Sequence, residues 1–269
     1  MSIAPLGRRR LAVTGSEELG AYRVLRVADP DGPPPQPGQF TMLAAAQRWG
    51  GGEDERPYLP RALSVARYAD GECHYLLEDV GPGTRRLCEL GRGDEVLALG
   101  PLGRGFAPPA PRRRAILVGG GVGIAPLAIL QDALAARGTS PVVLLGFRDR
   151  DRARGAALLD GARVATDDGS VGHHGLLTDL LAAELAQGSE AVVFSCGPAA
   201  MLEAVRALCA AREVSAQLAL EAPMACGFGA CFGCAVARRG GGYLRVCVDG
   251  PVLDASELDQ VDPHAGAPA

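Results

Sequence analysis

Cys226, Cys231, Cys234 and Cys247 lie within one 22-residue stretch that also holds Gly227, Gly229 and Gly233 and shows no helical periodicity. A segment this short and irregular cannot build a core from its own packing, so it must organise around a bound group. The spacing Cys-x4-Cys-x2-Cys with a distant fourth cysteine is that of plant-type [2Fe–2S] ligation. Three thiolates in one loop wrap a cluster, and the fourth closes it from elsewhere. Glycines between the ligands let the backbone curl tightly and aim its N–H groups at sulfur. The competing reading is a structural zinc site, for which paired Cys-x2-Cys spacing is more usual; only one such pair occurs here. The other cysteines, Cys73, Cys88, Cys196 and Cys209, are scattered and read as small buried hydrophobes rather than a disulfide framework.

The residues before this stretch carry two further textures. Residues 10–106 contain short β-like runs (22–27, 39–43, 62–67, 74–79, 95–99) broken by glycine and proline, which suggests a small antiparallel barrel or sandwich. The one helix-like piece there is 84–90, and 48–56 reads as an exposed loop. A linker follows at 108–114, with three prolines and three arginines. Beyond it, strands (115–118, 142–145, 163–165, 191–194) alternate with helices (126–137, 176–186, 199–211), the pattern of a parallel sheet covered on both faces. The fold class is therefore multi-domain α+β. It comprises an N-terminal antiparallel β-barrel over 8–110, a central α/β parallel-sheet domain over 111–219, and a small C-terminal module over 220–269.

Apolar residues make up 48% of the chain, enough for real cores. Its 27 basic and 31 acidic side chains give a net charge of −4. That argues against nucleic acid as a partner, because displacing phosphate counterions needs clustered positive charge. The longest apolar run, 115–130, has 16 residues with four glycines and a proline, too short to cross a bilayer. No secretory leader is read at the N-terminus. A cytoplasmic protein without a membrane partner is the expectation.

Gly119, Gly120, Gly121 and Gly123 lie after a strand and before a helix, where a pyrophosphate approaches the backbone and rests on the helix N-terminus. Ile124 stands where the last glycine of Gly-x-Gly-x-x-Gly would be, and a plain α/β turn is the alternative. Cys196-Gly197-Pro198 forms a second strand-to-helix turn. Arg61 and Ser64 on a strand, with Gly83 and Thr84 opening a helix, suit a phosphate and a flavin edge, or else a surface strand and an ordinary turn. His74, His173, His174 and His264 lack metal-ligand spacing. Neither Gly-x-Ser-x-Gly nor His-Glu-x-x-His occurs, which leaves hydrolase readings without support. Asp167-Asp168-Gly169-Ser170 reads as a turn more readily than as a catalytic carboxylate pair.

Taken in order, these motifs resemble the ferredoxin–NADP reductase superfamily, and more narrowly the electron transfer subunits of the NAD-dependent dihydroorotate dehydrogenase B family. The resemblance covers most of the chain. Its most specific parts are Met224-Ala225-Cys226-Gly227, Gly229-Ala230-Cys231-x-x-Cys234 and Val246-Cys247-x-Asp249-Gly250-Pro251-Val252. It implies that Arg61, Ala62, Leu63, Ser64, Leu76, Leu77 and Glu78 lie along FAD, with Gly83 and Thr84 at its pyrophosphate. Gly119, Gly120, Gly121, Gly123, Cys196, Gly197 and Pro198 would bind the nicotinamide nucleotide, and Cys226, Cys231, Cys234 and Cys247 the [2Fe–2S] cluster. The family commonly has proline at position 62 and often a basic residue near 78, so Glu78 must point away from a pyrophosphate. The implied function is an NAD-linked oxidoreductase subunit of pyrimidine (UMP) biosynthesis. Electrons would come from the FMN of a catalytic subunit, in a heterotetramer of two of each, and pass through the cluster and FAD to NAD⁺. No part of the chain looks like a dihydroorotate site. The alternatives are the small subunit of a ferredoxin–NADP transhydrogenase or sulfide dehydrogenase, and a non-catalytic redox sensor. Such relatives can carry aspartate at one ligand position, whereas all four are cysteine here.

Overall fold

The computed structural model describes residues 7–51, 56–111, 113–188 and 190–262. Parts of the 48–56 loop and of the 108–114 linker, His264, and residues 263–269 of the C-terminal module lie outside the described residues.

The first texture closes into a barrel. Its strands are β1 (Arg9–Leu19), β2 (Tyr22–Ala28), β3 (Phe40–Ala45), β4 (Arg61–Ala69), β5 (Glu72–Glu78) and β6 (Glu95–Leu102), in the spatial order β1-β2-β5-β4-β3-β6, with β6 returning to β1. Every pairing within it is antiparallel. Closure leaves no free edge to template aggregation. Leu25, Val27, Leu43, Val65, Leu77 and Val96 fill the interior, and Leu87 of helix α1 (Pro82–Cys88) packs with them. Strand β3 is buried at every position, so it shows no alternation of apolar and polar residues. Leu43 and Ala45 face the barrel interior, whereas Phe40 and Met42 face the rest of the molecule.

The second texture is a sheet of seven strands, ordered β10-β9-β8-β7-β11-β12-β15. Strand β7 (Arg114–Gly120) leads through a 3-10 turn to α2 (Ala125–Ala135), followed by β8 (Val142–Phe147), α3 (Arg150–Ala153), β9 (Arg163–Thr166), β10 (His173–His174) and α4 (Leu177–Leu185). The chain then crosses to β11 (Ala191–Cys196), α5 (Ala199–Ala211) and β12 (Ser215–Ala219). The strand order reverses between β7 and β11, which are hydrogen-bonded neighbours with Gly119 opposite Cys196. A crevice outside the carboxyl ends of the strands at such a reversal is where α/β sheets hold ligands. Buried Glu184 of α4 ties the sheet to its helices, accepting from Arg114 on β7 and from Arg163 on β9.

The third texture is not a separate body. After a small hairpin, β13 (Ala235–Ala237) with β14 (Tyr243–Arg245), strand β15 (Val252–Asp254) adds to β12 as the one antiparallel member of the large sheet. Cys234, Leu244, Val246, Cys247 and Leu253 share one core with Phe40, Met42 and Leu102 of the barrel and Ile116 and Val118 of the sheet. A segment too short for its own core thus borrows one from both neighbours.

Candidate functional site

Turns from all three textures meet at one cleft of about 700 Å³. Arg61, Ala62, Leu63 and Ser64 of β4 and Leu76 of β5 line one wall; Val122, Gly123 and Cys196 line the second; Met224, Ala225 and Gly233 from the cysteine loop form the third. Gly123 is required here. A Cβ at that position would fall 2.6 Å from the backbone of Gly197, so the turns after β7 and β11 could not abut with any larger residue.

The guanidinium of Arg61 crosses to α1, where a Cβ on Gly83 would meet its Cζ at 2.3 Å. It also stands 5.8 Å from the Trp49 ring centroid and donates to the Leu59 carbonyl at 2.6 Å. Burial lowers its pKa from the ordinary guanidinium value. Thr84 lies beside it, but its hydroxyl proton goes to the Gly81 carbonyl at 3.1 Å while its oxygen accepts from the Val80 N–H. Alternation along β5 separates the three residues read together from the sequence. Leu76 faces the cleft, and Leu77 is 1% exposed inside the barrel. Glu78 faces a different cavity altogether, where its carboxylate accepts from Arg152 at 2.9 Å. This ion pair compensates a negative charge where the family often has a positive one.

That second cavity, about 490 Å³, lies outside the carboxyl ends of the parallel strands. Gly120, Gly121 and Pro198 line it, with Arg148 and Asp167 at the ends of β8 and β9. Gly119 instead packs into the core against Leu127 and Leu145. Asp149 caps α3 by accepting from the Arg152 N–H at 2.9 Å and holds the Arg152 guanidinium at 2.7 Å. Asp168 accepts from the Ser170 N–H at 2.9 Å, and hydrogen bonding from the Ser170 side chain, together with this N–H, depresses its pKa; Asp167 and Asp168 are therefore a cavity wall and a turn, not a carboxylate pair.

Sequence reasoning missed Glu221. It lies two residues past β12 and lines both cavities at their junction, with no hydrogen-bond or ion-pair partner among the described residues. Desolvation by the surrounding protein raises its carboxyl pKa, although the side chain remains open to the cleft. Cys196 beneath it is pushed well above the usual thiol range by burial and by the Glu221 charge. The only sequence signal was its place at the boundary where helix–strand alternation stops.

The four clustered cysteines form two pairs. Cys234 and Cys247 have their sulfurs 3.2 Å apart and buried, and the exposed Cys231 is hydrogen-bonded to Cys226. Among the described residues, no three His, Cys, Asp or Glu side chains converge on a point suited to one ion. Two thiolate pairs, one at each end, suit a centre of two irons better than a single tetrahedral zinc. Burial alone would raise the Cys226 thiol, but hydrogen bonds from the N–H groups of Phe228 and Cys231, the Cys231 side chain and the Ala230 N–H outweigh it and bring the thiol down to about 6. Cys247 is pushed up to about 12 by burial and by the adjacent Cys234 sulfur, so its thiol ionises only against the charge of a metal. Gly227, at φ +78, makes the turn where a Cβ would strike Met42 of β3 at 2.6 Å. The loop therefore rests directly on the barrel.

Residues 221–259 match the family model described as the iron–sulfur cluster binding domain of dihydroorotate dehydrogenase B. The chain is 39% identical over 233 residues to the electron transfer subunit of dihydroorotate dehydrogenase B (NAD(+)) from Geobacillus kaustophilus, covering 83% of this chain and 86% of that protein. The same subunit from Listeria monocytogenes is 36% identical over 232 residues, with 82% and 87% covered. Among solved structures, that of the NADH-dependent reduced ferredoxin–NADP oxidoreductase aligns with a TM-score of 0.80 at 25% identity, over 97% of this chain and 92% of that one. Phthalate dioxygenase reductase, at 17% identity, shares the fold with a TM-score of 0.59 over 95% and 96%. Paired cysteines in a matching cluster domain, a barrel and a reversed parallel sheet thus agree with relatives over most of the sequence: the chain belongs to the family of dihydroorotate dehydrogenase B (NAD(+)) electron transfer subunits.

Proposed function

We propose that this chain, docked on an FMN-containing catalytic subunit in a cytoplasmic heterotetramer of two of each, carries electrons from dihydroorotate through a [2Fe–2S] cluster and FAD to NAD⁺. The observation that supports this most is the convergence of β4, the Gly123 and Cys196 turns and the cysteine loop on a single cleft. FAD exchanges hydride with a nicotinamide and single electrons with an iron–sulfur centre, so it belongs between the two.

The residues divide the work. Arg61 meets the flavin phosphates beside Gly83 and Thr84, a charge-assisted contact made by a partly desolvated guanidinium. Ala62, Leu63, Ser64 and Leu76 lie along the flavin; Leu77 points into the barrel interior instead. Gly120, Gly121 and Pro198 receive the nicotinamide nucleotide, while Gly119, Gly123 and Gly197 let the turns pack closely enough to make room for it. Cys196 and Glu221 flank the junction where the nicotinamide must reach the flavin. Cys226 and Cys231 hold one end of the cluster, Cys234 and Cys247 the other. Units over 8–110, 111–219 and 220–269 fit this division, with β15 crossing back to the second. Cys231 is exposed and is accompanied by Phe228, Phe232 and Tyr243, which are at least 50% exposed, so the cluster edge faces outward towards a catalytic subunit. No helix among the described residues is long and apolar enough to cross a membrane.

The isolated chain should oxidise NADH with an artificial dye and leave dihydroorotate untouched. Affinity purification from its native cells should recover an FMN protein that restores dihydroorotate oxidation by NAD⁺. Unaided oxidation of dihydroorotate, or recovery of a ferredoxin–NADP transhydrogenase partner instead, would overturn the reading.

A further inference from the structure

The Arg245 side chain reaches three separate segments of the cysteine loop. Its Nη1 donates to the Gly229 carbonyl at 3.4 Å, between Cys226 and Cys231. Its guanidinium carbon lies 5.2 Å from the ring centroid of Phe232, between Cys231 and Cys234. Its Nε stands 3.7 Å from the Asp249 carboxylate, two residues beyond Cys247, and that carboxylate also accepts from the Arg245 N–H at 2.7 Å. The backbone explains this reach. Arg245 pairs with Ala235, next to Cys234, in the β13–β14 ladder. The Asp249 N–H then returns to the Arg245 carbonyl at 2.8 Å, turning the chain around Cys247. The other arginines of this hairpin, Arg238 and Arg239, pair instead with Glu257 and Asp259.

Phe232 makes this arrangement costly. It holds a φ of +59, a left-handed conformation that a bulky aromatic residue rarely adopts, and it is left 60% exposed. Neither serves core packing. What the strained turn does is lay an aromatic face on the guanidinium, taking water off one side of the cation. A pinned and partly dehydrated cation projects a stronger field than one on a freely moving arginine. The ion pair is also oriented, with Nη1 at the ligand loop and the opposing carboxylate on the Nε side. Adding an electron to an iron–sulfur centre adds negative charge, so a fixed positive end beside the loop favours the reduced form. Resting on the proposed cluster ligands, we propose that Arg245 is a potential-setting residue: its guanidinium, held by Phe232, Gly229 and Asp249, makes the cluster a better acceptor for electrons from the catalytic subunit's flavin.

The test uses the full chain with flavin and cluster loaded, poised at a series of potentials and read by the electron paramagnetic resonance of the reduced cluster. The Arg245 side chain is 34% exposed, so solvent screens part of its charge and the effect is moderate. Arg245→Gln should disfavour reduction about tenfold, a midpoint about 59 mV lower for a one-electron centre. Arg245→Lys keeps the charge and should recover at least half of that loss. Phe232→Leu should disfavour reduction about two- to threefold, because the guanidinium loses its cover. Asp249→Asn, which keeps an acceptor for the Arg245 N–H, should shift the midpoint upward. A clamp with no electrostatic role would change iron content and melting temperature but leave the midpoint of loaded chains where it was. An unchanged midpoint in both Arg245→Gln and Asp249→Asn, or a shift of both in one direction, overturns the proposal and leaves the cluster assignment standing. Where Arg245→Gln fails to load its cluster, Phe232→Leu and Asp249→Asn decide, and anything but opposite shifts overturns it. A native chain with no [2Fe–2S] resonance after reduction overturns the cluster assignment, and the proposal with it.

Discussion

Two carboxylates illustrate how differently a charge can be accommodated in adjoining cavities. Glu78 is matched: Arg152, held from its other side by Asp149, neutralises it at the mouth of the second cavity. Glu78→Gln should therefore leave FAD content unchanged by flavin absorbance. It should lower the apparent KM for NADH by about two- to threefold, because Arg152 loses one of two partners and presents more positive charge to an anionic ligand. Arg61→Ala, by contrast, should strip flavin while iron remains. Glu221 is unmatched, and its pKa is raised by desolvation. A raised carboxyl pKa means that the folded state binds the proton more tightly than the unfolded state. The stabilising contribution of that proton is complete below the unfolded value and is lost as pH rises through the folded one. Glu221→Gln should thus raise the melting temperature by roughly 1–3 °C at pH 7 to 8, with the difference vanishing where the carboxyl is protonated in both states. Thermal melts across pH check this; a constant difference at every pH would refute it.

At the scale of elements, β15 and the cysteine loop act as one device. Leu253 is 3% exposed and packs in the core that also holds Cys234 and Cys247. Leu253→Ala should cost about 2–4 kcal/mol and also lower iron and acid-labile sulfide per chain, since the strand it anchors carries the end of the loop. Loss of stability with full cluster occupancy would separate the two. Elements with strong local signals were legible in the sequence. Helix α5 matches its expected span, 199–211, because Pro198 starts it and its buried residues recur at helical spacing. Strand β1 was not read: its charged sequence alternates poorly, and a bulge between Val13 and Gly15 breaks the register. Strands β12 and β15 were missed because each is a strand only by virtue of a partner distant in sequence. The cysteine cluster was legible as a spacing, whereas Glu221 and the turn of Glu78 towards Arg152 depend on which faces meet after folding.

At the scale of the whole molecule, the interfaces between textures are apolar at their centres, with ion pairs such as Glu78–Arg152 beside them. Tyr22, Ala66 and Leu76 of the barrel share a core with Ile124, Leu127 and Phe194 of the sheet, and Ile129 of α2 reaches into the barrel cluster. Domains joined by polar contacts move relative to one another by default; a continuous apolar core removes that freedom. Because β15 stitches the cysteine loop into the same sheet that forms the nucleotide cavity, the cluster end has no tether on which to swing. Many redox proteins deliver electrons by swinging a tethered carrier across a gap, so that the throughput follows the viscosity of the solvent. Under the proposed placement, the distances from nucleotide to flavin to cluster would be fixed by covalent and sheet geometry. Stopped-flow reduction of the iron–sulfur centre by NADH in the isolated chain should proceed at the same rate in buffer and in concentrated sucrose, while transfer from the catalytic subunit, added separately, should slow as encounter slows. The chain would then behave as a wire rather than an arm, and the moving part would be its partner.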